Sequence, residues 1–400
     1  MGAVFNIVGC ECSKKMDKQP SIKKIKVTDY TSSVLISSTI IPKELYTDKK
    51  SPQKQIIRKK IISDINVYEK YIQICIIGKS YCSIVFKVKN RLNSQMRAMK
   101  EISKESIENA NDTKNIVFSI NVLRNLDHPN VIQLYEFYED EKNFYLIYDL
   151  CEKIDLDEML KEKMIFSEFL VKFIMYKVLL AVVYLHKQKI IHGDIKITNI
   201  GIIRKQDNNN NNKSNANNNI NDIKNIKELI NEICDSIKLK NELLIKDKYE
   251  ILSNKAKSFI NNLVKYDIKL IDCWSQDIFI RNIIDNNNDD IMLNITYFSP
   301  ELFNQVITKE RDEWACGILM FYLINGYYPF EGEIKEELVY EIINKDIDSE
   351  INELKIGKEC KDLLFKLLNK NPNYRIKAED ALKHDFFQKG IKIQDLINLN

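Results

Sequence analysis

The residues best suited to chemistry lie in residues 190–202, Ile-Ile-His-Gly-Asp-Ile-Lys-Ile-Thr-Asn-Ile-Gly-Ile. An acid at Asp194, a cation at Lys196 and an amide at Asn199 follow His192 at intervals of two to three residues. At that spacing they cannot share one face of a strand or helix, so only a loop can turn them toward a common point. The set suits phosphoryl transfer. A carboxylate would orient an attacking hydroxyl, a positive charge would sit near the moving phosphoryl group, and an amide oxygen would serve a metal ion.

Such a loop needs strands and helices to carry it. Residues 72–78 (IQICIIG) and 83–89 (SIVFKVK), separated by KSYC, predict strand, turn and strand. A tight turn there would let backbone N–H groups approach phosphates, although a plain hairpin needs no more than this. Residues 145–152 (YLIYDLCE) read as a buried strand. Ile116, Ile120, Leu123 and Leu126 repeat at helical spacing, and so do the apolar residues of 166–187, just ahead of the loop. After Ile203 the pattern breaks: residues 207–219 are almost pure Asn, with nothing to bury and an expectation of disorder. Residues 220–264 regain helical periodicity at Ile223, Ile226, Ile230 and Ile233.

Composition narrows the classes. An apolar content of 44% is ample for a core. A net charge of +3, with no basic stripe interleaved with aromatics, argues against nucleic acid as a partner. The nine cysteines are scattered without a Cys-x-x-Cys pair, which points to reduced thiols inside a cell rather than to zinc or disulfides. No run approaches the roughly 18 apolar residues of a membrane helix, and the N-terminus lacks the pattern of a secretory signal. Residues 285–290 are acidic but lack the Gly and Glu of a calcium-binding EF-hand loop, so no direct calcium site is expected.

The stretch His192-Gly-Asp-Ile-Lys-Ile-Thr-Asn199 resembles the protein-kinase catalytic loop His-Arg-Asp-x-Lys-x-x-Asn, with Gly193 where the family has Arg. Further motifs follow in the family's order. Gly78, Ser80, Ser83 and Val85 stand at the positions of its glycine-rich turn. Ala98-Met-Lys100 resembles its Ala-x-Lys strand, and His128-Pro-Asn130 its hallmark after the small-lobe helix. Tyr148, Asp149 and Cys151 fall at the gatekeeper and hinge, Asp272 on the metal-binding Asp, and Ser299-Pro-Glu301 on the Ala-Pro-Glu motif. Asp312-Glu-Trp-Ala-Cys-Gly317, Gly326-Tyr-Tyr-Pro-Phe330 and Arg375 complete the series. The resemblance implies an α+β, two-lobed protein-kinase fold with a small, mostly β N-lobe and a larger, mostly α C-lobe. It is most like the calcium/calmodulin- and calcium-dependent Ser/Thr kinases, without an EF-hand module.

The domain expectation is a basic N-terminal extension at 1–68 and a kinase-like domain at 69–390, divided into an N-lobe at 69–150 and a C-lobe at 151–390. An insertion occupies about 204–266, and a tail 391–400. The resemblance further implies ATP and Mg²⁺ as cofactors and a protein substrate. Asp194 and Lys196 would be catalytic. Gly78, Val85, Ala98, Lys100, Asp149 and Cys151 would bind the nucleotide, and Asn199 and Asp272 would hold the metal. Glu301 and Arg375 would form a buried ion pair.

Several positions depart from the family. Ser119 stands where a glutamate normally pairs with Lys100, which would leave that lysine loosely placed unless Asp272 or another acid compensates. Cys273 and Trp274 replace the Phe-Gly after the metal-binding Asp. Gly201 replaces the Leu beneath the adenine, worth roughly 1.5–3 kcal/mol if buried. Gly193 removes the arginine that reads a phosphorylated activation loop, and Asn294 replaces a Thr near the catalytic Asp. Two readings therefore stand: a Ser/Thr kinase, weak or dependent on an activating partner, and a pseudokinase scaffold that binds without transfer. Gly2, Cys10, Cys12 and the following lysines suit an acylated anchor, although Asn6 replaces the preferred Ser or Thr. The expected location is cytoplasmic, with membrane association through Gly2 myristoylation and Cys10/Cys12 palmitoylation.

Overall fold

The computed structural model describes residues 66–79, 83–106, 117, 120, 122–151, 166, 168–204, 266–272, 289–304 and 306–389. Expectations for Gly2, Cys10, Cys12, Ser80, Ser119, Cys273, Trp274, residues 205–265 and the tail from 390 lie outside them.

A five-stranded antiparallel sheet forms the small lobe, in the order β1-β2-β3-β5-β4. Its strands are β1 (Tyr71–Lys79), β2 (Ser83–Asn90), β3 (Met96–Ser103), β4 (Leu134–Glu139) and β5 (Asn143–Tyr148). The period-2 alternation of β5 separates two cores. Phe144, Leu146 and Tyr148 enter the main core, whereas Tyr145 and Ile147 join a smaller cluster with Val88, Met99 and Tyr138. That outer cluster is closed by Val67 and Tyr71, at either end of the short helix α1 (Val67–Lys70). On β3 the same alternation puts Ala98 and Ile102 in the main core, so Lys100 between them shares the inner face. Val85 on β2 and Leu146 on β5 are its direct cross-strand partners.

The larger lobe is helical. Helix α2 (Glu168–Lys187) buries most of its apolar side chains, including Val171, Ile174, Val178, Val182 and Leu185. Helix α3 (Asp289–Thr296) leads into a short helical turn at Pro300–Asn304. Helix α4 (Glu310–Asn325) is buried from Arg311 to Ile324, on every face, so it is the axis of the lobe rather than a surface element. Around it stand α5 (Lys335–Asn344), α6 (Asp348–Glu353), α7 (Lys358–Leu367), α8 (Ala378–Ala381) and α9 (Asp385–Gln388). Trp314 of α4 stacks on Phe330 with ring centroids 5.8 Å apart.

Glu301 and Arg375 do form the expected buried pair. Both oxygens of Glu301 accept from the guanidinium, Nη1 at 2.7 Å and Nη2 at 3.0 Å, and Nη1 also donates to the Glu310 carbonyl at 2.8 Å. Arg375 thereby joins the Pro300–Asn304 turn to the start of α4. No helix among the described residues is long and apolar enough to cross a membrane.

Between the lobes lies a two-stranded ribbon of β6 (Ile200–Arg204) and β7 (Tyr266–Leu270), with Ile200 opposite Leu270. That register places the end of the loop beside the residues after β7, and the Ile271 N–H donates to the Asn199 carbonyl at 3.0 Å. Leu270 also bridges in parallel to Val131, linking the ribbon to the segment that enters β4.

Candidate active site

The loop after α2 is held from below by helix α4. Asp312 accepts from the backbone N–H of Gly193 at 2.8 Å and of His192 at 2.9 Å, and its Oδ2 lies 2.9 Å from His186 Nε2. Gly193 has φ +77°, a left-handed conformation that glycine adopts without the penalty an L side chain carries. His192 bridges the loop to Ile271, the residue just after β7. Its Nδ1 accepts from the Asp194 N–H at 3.2 Å, and its Nε2 lies 3.1 Å from the Ile271 carbonyl. An acceptor at Nδ1 and a carbonyl at Nε2 require the neutral tautomer protonated on Nε2. Burial, which pushes the imidazole pKa down against the neighbouring Asp312, Asp194 and Asp272, agrees with that state.

The polar groups of the loop converge. Asp194 Oδ2 lies 2.8 Å from Lys196 Nζ and 2.5 Å from Asn199 Nδ2, which also donates to the Asp194 carbonyl at 2.9 Å. Lys196 donates to the Asn294 side-chain oxygen at 2.7 Å, so Asn294 of α3 fixes the lysine from the other side. Lys100, buried on the inner face of β3, reaches across to Asp272 Oδ1 at 2.7 Å. The acid sought for Lys100 is therefore present, and it comes from beyond β7. Partial desolvation acts to raise the Asp272 pKa. Lys100, then Lys196 and His192, outweigh it and hold the carboxyl below the ordinary Asp value. Asp272 adopts φ +59°, uncommon for a residue with a side chain.

The remaining expected site residues lie on β1, β2 and β3 and just after β5. Gly78 pairs with Val85, and a Cβ on it would meet Val85 Cβ at 3.7 Å, an ordinary van der Waals contact, so the space at this position would accept a small side chain. Ala98 is opposite Tyr148 on β5. The Asp149 side chain accepts from Tyr135 at 2.7 Å and Arg97 at 3.4 Å, with Lys269 Nζ 3.6 Å from its other oxygen. Its carboxylate thus braces the hinge, so any nucleotide contact at this position falls to the backbone. Cys151 packs onto Gly201 of β6: a Cβ on Gly201 would stand 2.6 Å from the Cys151 sulfur and 3.2 Å from Ile271 Cγ2. The space that the missing Leu left open is taken by a thiol from the hinge.

Mg²⁺ demands oxygen ligands and is commonly held by one or two carboxylates completed by phosphates and water. Asp272 supplies one ionised carboxylate. Asn199 spends its amide nitrogen on Asp194, so its oxygen is the atom left to offer a cation. No cluster of three or more His, Cys, Asp or Glu placed to hold a metal occurs among the described residues. This donor set fits Mg²⁺ shared with a nucleotide better than a permanently caged ion.

Sequence reasoning missed three contributors. Asp312 stands in a motif that gives it no part in holding the loop, and His186 lies unremarked at the end of the helical repeat before it. Arg311, whose Nη2 donates to the Gly193 carbonyl at 2.9 Å, was not singled out at all. Its one signal was a cation written among the acids Glu310, Asp312 and Glu313 at a helix start.

Comparison with known proteins agrees with this geometry. A model of the protein kinase domain matches residues 71–209 and 279–387. Among curated relatives, calcium-dependent protein kinase 5 of Plasmodium falciparum (isolate 3D7) is 24% identical over 380 residues, covering 94% of this chain and 52% of that protein. Calcium-dependent protein kinase 3 of Plasmodium berghei (strain Anka) is 27% identical over 314 residues, covering 78% of this chain and 46% of that protein. The chain thus spans about half the length of these relatives. A crystal structure of Rad53 1-466 in complex with AMP-PNP matches with a TM-score of 0.56 at 20% identity, covering 80% of this chain and 66% of that one, a likeness of fold. A β lobe and a helical lobe, an Asp-Lys-Asn loop between them and the family match over both segments lead to one assignment: the chain belongs to the protein kinase domain family.

Proposed function

We propose that the protein transfers the γ-phosphate of ATP to a serine or threonine hydroxyl of a protein substrate. The observation that carries this reading is the convergence of Asp194, Lys196 and Asn199 in one loop, together with the Lys100–Asp272 pair whose carboxylate also feels Lys196. Asp194 orients the attacking hydroxyl and accepts its proton at a carboxylate oxygen, while Lys196 offsets charge on the phosphoryl oxygens. Lys100 holds the α- and β-phosphates, and Asn199 and Asp272 would hold Mg²⁺. The metal, when bound, neutralises charge on the β- and γ-phosphates. Serine/threonine preference rests on the calcium-dependent kinase relatives. An anchor through Gly2 with Cys10 and Cys12, on the cytoplasmic side of a membrane, is part of the same proposal and rests on sequence alone. Membrane partition that survives Gly2→Ala would count against it.

The test is nucleotide binding followed by transfer. ATP with Mg²⁺ should raise the melting temperature of the full chain, Asp272→Asn should abolish the Mg²⁺-dependent part, and Asp194→Asn should retain binding but lose phosphate transfer. No ATP shift in the parent protein would refute the enzyme reading. A shift without transfer to any generic substrate would make the protein a binding scaffold, with Lys100 and Asp272 paired to each other rather than engaged in catalysis.

A further inference from the structure

We propose that Arg311 is a positioning residue for the catalytic loop, standing in for the arginine that the loop itself lacks at Gly193. The peptide that joins Gly193 to Asp194 is gripped at both of its polar ends. Its carbonyl accepts from Arg311 Nη2 at 2.9 Å, and its N–H donates to His192 Nδ1 at 3.2 Å. One residue earlier, the Gly193 N–H is held by Asp312 at 2.8 Å. Two neighbouring residues of α4 therefore clamp Gly193 from its two sides, and the plane of the peptide that sets the direction of Asp194 follows from that clamp.

Two further observations tie the arginine to the loop rather than to its own helix. Arg311 is 5% exposed yet stands in the first turn of α4, where the helix dipole disfavours a cation. Set against that is a charge-assisted hydrogen bond to the half-buried Gly193 carbonyl, which is stronger than a neutral one. In addition, a Cβ on Gly193 would lie 3.5–3.8 Å from three atoms of the guanidinium, so the group fills the space into which a side chain at 193 would project. The cation of the loop has moved to the helix beneath it. There its guanidinium donates to the Gly193 carbonyl and so supports the loop through its backbone.

The inference rests on Asp194 as the residue that orients the hydroxyl, and its test uses the full chain with two readouts. In Arg311→Met, kcat should fall at least ~10-fold with KM for ATP unchanged within about twofold, the pattern of a lost transition-state geometry rather than lost binding. Arg311→Lys, which retains a charged donor, should restore most of the loss. Amide hydrogen exchange should quicken in a peptide covering 190–196 of Arg311→Met while one covering 316–325 of α4 is unchanged. If the parent transfers no phosphate, the proposed function fails and the exchange readout alone decides this inference. Should Arg311→Met not fold, Arg311→Gln is compared with Arg311→Lys, and faster exchange of 190–196 in the Gln form is the expected result. Equal exchange and equal kcat across the variants, or loosening spread evenly over both peptides, would overturn the proposal.

Discussion

His186 makes the catalytic loop sensitive to alkaline pH, by an amount that follows from its surroundings. Its imidazole is buried, with Nε2 2.9 Å from Asp312 Oδ2 and Nδ1 3.4 Å from Glu313 Oε1. Burial pulls the pKa down, but the two carboxylates more than reverse it and carry the group from 6.5 to about 9. Because the folded value lies above the unfolded one, the stabilisation is fully present below pH 6.5 and is lost as pH rises through 9. At ~1.36 kcal/mol for each pH unit, the whole effect is ~3 kcal/mol, of which ~2 kcal/mol remains at pH 7.5. The readout is urea unfolding at intervals from pH 6 to pH 10, for the parent and for His186→Gln, which keeps a polar side chain but cannot titrate. Cys316, Asp312 and Glu313 on the facing helix are present in both proteins, so the difference between the two curves reports His186. That difference should shrink by ~3 kcal/mol across the range. Phosphate transfer should decline on the same arm, because Asp312 and Glu313 are left as neighbouring buried carboxylates beneath the loop. A difference that stays flat from pH 6 to pH 10 would refute the argument.

Two other perturbations have definite expected outcomes. Glu301→Gln leaves the buried Arg375 guanidinium without its carboxylate, and a broken buried pair costs about 3–5 kcal/mol, which would appear as a lower urea midpoint at neutral pH. Gly201→Ala places a methyl 2.6 Å from the Cys151 sulfur and should lower the melting temperature, whereas the same change in a Cys151→Ala background should cost less than the two single effects combined. Strict additivity of the pair would show that the thiol does not fill that space.

Local pattern carried much of the fold and little of the site's wiring. Residues 145–152 were legible as a buried strand because their apolar run is continuous, but only packing sends Phe144, Leu146 and Tyr148 to one core and Tyr145 and Ile147 to another. The two-to-three-residue spacing of Asp194, Lys196 and Asn199 required a loop, and the loop is there. Spacing could assign Lys100 to a face of its strand, but not to a partner. The pairing with Asp272 spans 172 positions and is decided by where β7 ends relative to β3.

The sequence by itself determined the class of fold, the order of its motifs and the acid, cations and amides available for chemistry. Tertiary structure alone decided how the departures from the family are accommodated. Cys151 occupies the space above Gly201, Asn294 holds Lys196, and Arg311 supports the carbonyl of Gly193. The physical reason is the same in each case. A volume left empty or a charge left unpaired is a local property, readable from one position. The group that fills or pairs it arrives from a distant segment, and only the folded backbone brings it within the 3 Å or so at which a hydrogen bond forms.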